Sequence, residues 1–160
     1  MRGRFLYWGA LLLITVVAGI FLPRIWCGEF CKWAFRILGS VFVIYGAVLN
    51  FVAGKTLKKY GHKKPLGKFS PPDKLVTKGI YSKMRHPAQF GNLFILLGIS
   101  LLFAKITVLM FVGWILFFGL AFIVWIEEPE AVEKFEEYPS YMAKTKPFLP
   151  LNPFNYLKEL

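Results

Sequence analysis

A single all-α domain of four membrane-spanning helices is the fold that this sequence predicts, and three observations predict it. First, the 160 residues are 56% hydrophobic and 18% charged, with a mean hydropathy of +0.52, whereas soluble domains carry about a quarter charged residues. Second, the apolar residues gather into four continuous runs close to the roughly 20 residues that a helix needs to cross a bilayer core. Third, the charge is lopsided: 20 Lys and Arg stand against 9 Asp and Glu, a net +11, with a pI near 9.8. A soluble nucleic-acid-binding domain would spread its cations over one folded face. Here they lie between apolar runs, so a nucleic-acid partner is not expected.

The first run, residues 5–22, follows Arg2 and Arg4 and stops at Pro23. A secretory signal would have a shorter apolar stretch and a small-residue cleavage site. Leu22-Pro23-Arg24-Ile25-Trp26 offers none, so the segment reads as a membrane anchor. The second run covers 34–53, with Arg36 near enough to its start to snorkel. The third and fourth, 88–104 and 106–126, are separated only by Lys105 and form a tight hairpin. Gly91, Gly98, Gly113 and Gly119 give it the small surfaces that let membrane helices approach closely. Length and lack of alternation favour helices over barrel strands.

Cation placement sets the orientation. Residues 55–85 hold ten Lys and Arg, and with those of the two termini one face holds sixteen, against four on the other. The positive-inside rule then places both termini and the loop 55–87 in the cytoplasm, against an anionic lipid surface. The tail from 127 to 160 is acidic, with seven Glu and an amphipathic helical pattern, so loop and tail can pair over the membrane.

Two segments carry candidate chemistry. Leu75-Val76-Thr77-Lys78-Gly79-Ile80-Tyr81-Ser82-Lys83-Met84-Arg85-His86-Pro87 runs directly into the third span through Ala88-Gln89-Phe90-Gly91. Gly79 permits a turn, Pro87 suits a first helical turn, and His86 falls at the mouth of a membrane helix, whose free N–H groups favour an anion. On composition alone the plainer account is that Arg85 and His86 meet lipid headgroups. The second segment is Glu127-Glu128-Pro129, where hydrocarbon ends; a carboxylate so placed needs a partner or solvent. Glu130, Glu133, Glu136 and Glu137 read instead as the solvated face of a surface helix. His62, among lysines, reads as facing headgroups; Cys27 and Cys31, four apart on the non-cytoplasmic side, read as two unpaired apolar cysteines, with a disulfide as the alternative if that compartment oxidises. Two Cys and two distant His make no zinc site, so no metal is expected. The glycine-rich motifs of soluble nucleotide-binding folds are absent from the sequence.

Taken together, Leu75, Val76, Gly79, Tyr81, Arg85, His86, Pro87 and Gly91, then a hairpin, then Glu127 and Glu128, then Tyr138, Tyr141 and Pro150 resemble a known superfamily. It is that of the isoprenylcysteine carboxyl methyltransferases and phospholipid methyltransferases, integral membrane enzymes. The resemblance covers 74–150. It implies that S-adenosylmethionine binds at the cytoplasmic membrane boundary and leaves as S-adenosylhomocysteine. Lys74, Leu75, Val76 and Tyr81 would line the cofactor pocket; His86, Pro87, Ala88 and Gln89 would contact it at the helix mouth. Glu127 would face its positive groups, with Gly79, Gly91, Glu128, Tyr138 and Tyr141 completing the site. Arg85 and Glu127 would be catalytic. The chemistry is consistent: a carboxylate suits a helix N-terminus and Arg85, while an ammonium and a sulfonium suit Glu127 and the face of Tyr81.

The acceptor would be hydrophobic or lipid-anchored. An isoprenylcysteine-like carboxylate is the first expectation and a phospholipid amine the alternative. The sequence departs from the pattern of the carboxyl methyltransferases at Gln89, where they have Tyr, and at Ile123, where they have Arg. Lys146 is the nearest cation to a further Arg of that pattern. An NADPH-dependent enzyme like the sterol reductases, or a non-catalytic scaffold, would share the hairpin.

Overall fold

The computed structural model describes residues 2–23, 25, 28–62, 72–149 and 152–159. Cys27, Lys63, Lys64, Lys68 and Pro150 lie outside them. The described residues form helices without a named strand: α1 (Arg2–Phe21), α2 (Gly28–Tyr60), α3 (Pro87–Leu102), α4 (Ile106–Phe122), α5 (Glu128–Lys134) and α6 (Tyr138–Lys144), with short 3₁₀ turns at Gly79–Ser82 and Pro153–Glu159. Among the described residues three stretches are long and apolar enough to cross a membrane: Gly3–Phe21, Gly28–Tyr60 and Ile106–Lys134. The protein is an integral membrane protein built as an all-α bundle.

The helices differ in length from the runs that predicted them, for local reasons. At 33 residues α2 reaches about 50 Å; no Pro interrupts it, and Gly54 is a weak enough breaker that the helix carries Lys55, Lys58 and Lys59 past its apolar part. With 16 residues, α3 reaches about 24 Å. It starts at Pro87 and ends where Ala104, at φ 50°, takes the left-handed turn that reverses the hairpin. Beyond α4 the chain does not stop at the apolar boundary. It runs through a π-helical turn, Ile123–Glu127, into α5. The amphipathic tail divides into α5 and α6 because Pro139 supplies no N–H and its ring would meet the carbonyl of Phe135 in a continuous helix; Phe135 is accordingly extended, at φ −125° and ψ 109°. Cys31 is disulfide-bonded rather than free, against the expectation of unpaired cysteines.

The chain divides into two compact units, Met1–Ala47 with Asn92–Leu120, and Val48–Gly91 with Ala121–Leu160. In the first, Leu11, Leu96 and Ile115 pack with Tyr7 and Trp8. Gly39 and Gly98 bring α2 and α3 together so closely that a Cβ on either would lie 2.7 Å from the other's carbonyl oxygen. Such an approach maximises dispersion contact, which drives helix association where lipid is as apolar as leucine.

Lys105, at the hairpin tip, is buried. Its ammonium donates to the carbonyls of Gly19 at 2.5 Å, Ile20 at 3.3 Å and Leu22 at 3.2 Å, while Thr107 Oγ1 donates to Pro23 O at 2.8 Å. These are the carbonyls that a helix end leaves unpaired, at its negative pole. Lys105 therefore fastens α1 to the hairpin. Lys105→Met is expected to lower stability by about 2 kcal/mol, the scale of unpaired buried carbonyls plus a lost charge–dipole contact; thermal unfolding in detergent checks it, with Lys105→Arg retaining most of the loss.

Candidate functional site

The site lies wholly within the second unit and begins with how its backbone is held. Gly79, at φ +57°, has the left-handed conformation that starts the Gly79–Ser82 turn. That turn buries Ile80 and Tyr81 and delivers Arg85 and His86 to the start of α3. The segment after α6 lies along them: Arg85 N–H donates to Lys146 O at 2.9 Å and His86 N–H to Pro147 O at 3.2 Å. Phe148 completes the clasp, stacking on Phe90 at 5.3 Å and tilting over the His86 ring at 6.2 Å. At the base of the basic loop, Asp73 and Lys74 N–H groups donate to Gly61 O, and Lys134 Nζ donates to Pro72 O at 2.7 Å.

The π-helical turn supplies the opposing wall. One extra residue per turn changes the direction in which the following side chains leave the helix, a device common at functional sites. Glu127, 3% exposed, and the partly buried Glu128 both meet the α3 mouth. His86 Nε2 lies 3.1 Å from Glu128 Oε1 and His86 Nδ1 lies 3.5 Å from Glu127 Oε2. A carboxylate only accepts, so the shorter contact has its hydrogen on Nε2. Gln89 Nε2 donates to Glu127 Oε2.

Arg85 is placed differently from the expectation that it meets a cofactor carboxylate. Its Nε and Nη2 donate to Glu128 Oε1 at 3.0 and 2.7 Å, and Nη1 donates to Met142 O at 3.1 Å and to Thr145 O. The guanidinium is thus a strut between an acidic side chain and the carbonyl end of α6.

Around this cluster lie three buried phenols. Tyr141 Oη donates to Tyr81 O at 2.6 Å, and its ring meets that of Tyr138 edge-on at 5.9 Å. Burial pushes the Tyr138 hydroxyl up to about 12, and burial likewise raises Tyr81 and Tyr141 well above the ordinary phenol value. All three stay neutral donors at physiological pH. The buried Tyr138 Oη has no hydrogen-bond partner among the described residues.

A phospholipid methyltransferase family model matches residues 34–138. That is most of the chain and includes the α3 mouth, the π-helical turn and both acidic residues. The chain belongs to the phospholipid methyltransferase family. It is a membrane methyltransferase. No curated protein and no solved structure matches it. The match favours the phospholipid alternative over the isoprenylcysteine-like acceptor that the sequence motifs led us to expect first.

Beside the acidic cluster this membrane methyltransferase has a cleft of about 510 Å³, lined by Lys74, Leu75, Thr77, Glu137, Tyr141 and Lys144, among others. Tyr141 and Thr145 connect the two regions, since both line the cleft while Tyr141 holds Tyr81 and Thr145 O receives Arg85. The structure therefore gathers Arg85, His86, Gln89, Glu127 and Glu128 into one cluster and puts Lys74, Leu75 and Tyr141 on the adjoining cleft. Val76, Pro87 and Gly91 are buried supports, and Ala88 is half-buried. Glu137, Ser140 and Lys144 belong to the cleft wall although periodicity assigned the acidic tail to solvent. The signal that finds them is Pro139, which restarts the helix and turns α6 toward the 74–77 segment. Among the described residues there is no group of His, Cys, Asp and Glu suited to a metal.

Proposed function

We propose that this enzyme transfers the methyl group of S-adenosylmethionine to the amine headgroup of a phospholipid at the cytoplasmic face of the membrane, releasing S-adenosylhomocysteine. The observation that carries the acceptor is the composition of the inner site. Two adjacent carboxylates end the apolar helix, while position 123, an Arg in carboxyl methyltransferases, is an Ile that is 1% exposed. Such a wall attracts a cationic amine and gives an anionic carboxylate no cation of its own, because the Arg85 charge is paired with Glu128 and four of its five N–H groups are taken by protein acceptors. The cytoplasmic placement follows from the cation asymmetry of the sequence.

The residues fit the donor. The cleft has room for a nucleoside with an amino-acid tail, Lys74 and Lys144 offer cations for its carboxylate, and Glu127 and Glu128 offer negative charge for its ammonium and sulfonium. When bound, the donor supplies an electrophilic methyl group on a cationic sulfur. The protein's task is then to hold, to exclude water and to remove one proton. Glu127 holds the headgroup ammonium by charge and takes its proton at the carboxylate, leaving the nitrogen lone pair free. His86 Nδ1, 3.5 Å from Glu127 Oε2, accepts that proton, and the imidazolium so formed lies between two carboxylates. Arg85 and Gln89 fix the acidic pair, and the buried phenols keep water out.

Isothermal titration of the purified protein with S-adenosylhomocysteine and with NADPH tests this function. Saturable binding of the first, weakened at least about tenfold in His86→Ala, is expected. Saturable NADPH binding in its place would replace the methyltransferase reading with a reductase.

A further inference from the structure

The wall of the cleft formed by α6 has no part in the proton chemistry, yet it presents a charged group in a particular state. Glu137 occupies the N-cap of α6, at φ −79° and ψ −8°, and its side chain makes no capping hydrogen bond. Its backbone carbonyl is well used, accepting from Tyr141 N–H at 3.2 Å and from Ser140 Oγ at 2.8 Å. The backbone is thereby fixed, and the exposed residue lines the cleft. It forms no ion pair with Lys74 or Lys144, which line the same cleft, among the described residues. The cluster acids differ, since Glu127 and Glu128 are held by Gln89, His86 and Arg85.

We propose that Glu137 binds the ribose of the methyl donor, its two carboxylate oxygens accepting from the vicinal 2′- and 3′-hydroxyls. This rests on the assignment of the cleft to S-adenosylmethionine given above. The donor's ammonium and sulfonium are cations that Glu127 and Glu128 serve, and its carboxylate is an anion that Lys74 and Lys144 serve. The diol is the remaining polar group: a neutral pair of donors whose spacing matches the two oxygens of one carboxylate, which is how nucleoside sites of unrelated folds use an acidic side chain. Glu137 thus sets the preference for a ribonucleoside, a role distinct from catalysis.

The test is equilibrium binding of S-adenosylhomocysteine and its 2′-deoxy and 3′-deoxy analogues to the purified full chain in detergent, for wild type, Glu137→Ala and Glu136→Ala. The wild type is expected to bind the deoxy compounds about tenfold more weakly than the parent, the scale of a hydrogen bond to a charged group. Glu137→Ala, which loses both contacts, is expected to bind the parent up to about 100-fold more weakly and to treat all three compounds alike, and Glu136→Ala to match wild type. Thermal unfolding identifies a folding defect; in that event Glu137→Gln, which keeps one acceptor oxygen, is expected to show an intermediate loss with partial discrimination. Unchanged discrimination in either Glu137 variant overturns the ribose assignment alone. Loss of glycerophosphoethanolamine binding with nucleoside binding intact also overturns it and gives the cleft to the acceptor headgroup. A wild type that binds no S-adenosylhomocysteine overturns the cofactor assignment and the ribose contact with it.

Discussion

Glu127→Ala is expected to weaken S-adenosylhomocysteine binding and methyl transfer by about 100-fold or more, whereas Glu133→Ala changes either by less than about twofold. The asymmetry follows from surroundings. Glu127 is 3% exposed where the apolar helix ends, so its charge acts through little solvent and its removal leaves Gln89 Nε2 and His86 Nδ1 facing a cavity. A buried polar group that loses its partner costs roughly 1–3 kcal/mol, and more when the partner was charged. Glu133 lies exposed on α5, where a carboxylate interacts through water and is screened by salt. Glu127→Gln separates packing from charge: it retains an acceptor for Gln89 and should recover stability, while cofactor affinity and kcat both stay low because the charge is gone. Equal losses in Glu127→Ala and Glu133→Ala would remove Glu127 from the site.

The second large effect is on stability. Arg85→Ala is expected to destabilise the protein by about 3–5 kcal/mol, the range measured when one partner of a largely buried ion pair is deleted. Four hydrogen bonds disappear together, two to Glu128 and two to the carbonyl end of α6. The Glu128 charge and the α6 carbonyls are left behind. Arg85→Lys should restore only a minor part, because an ammonium cannot reach a carboxylate and two carbonyls in the planar fork that a guanidinium provides. Unfolding followed in detergent gives the measurement. If Arg85 instead held the donor's carboxylate, stability would be nearly unchanged and only KM for the donor would rise.

Much of this architecture was legible in the sequence because membrane helices are specified by length and apolarity, which are local properties. The four runs, the hairpin around Lys105 and the turn at Gly79 all follow from neighbours in the chain. The joining of His86 to Glu127 and Glu128 is not local; it spans about forty residues and was legible only through the ordered motif on both sides of the hairpin. Lys105 illustrates what was not legible. In sequence it is one cation on the sparsely charged face, yet in the structure it donates to three carbonyls at and just past the end of α1, a partnership that no periodicity encodes. Arg85 was expected to face a ligand, but the return of the chain after α6 surrounds it with protein acceptors. Glu137 was placed with its acidic neighbours on a solvated helix face, and the break at Phe135 changes what that face meets.

Phospholipid N-methylation is measured by methyl transfer from methyl-labelled S-adenosylmethionine by the purified protein reconstituted with phosphatidylethanolamine, followed by identification of the labelled product. Label in an N-methylated phospholipid, stable to base and abolished by Glu127→Ala, is the predicted result. A base-labile methyl ester on an added isoprenylcysteine, with the phospholipid unlabelled, would contradict the amine acceptor. No label in either acceptor, from protein that is folded and reconstituted, would contradict the account of the acidic pair as a methyl-transfer site.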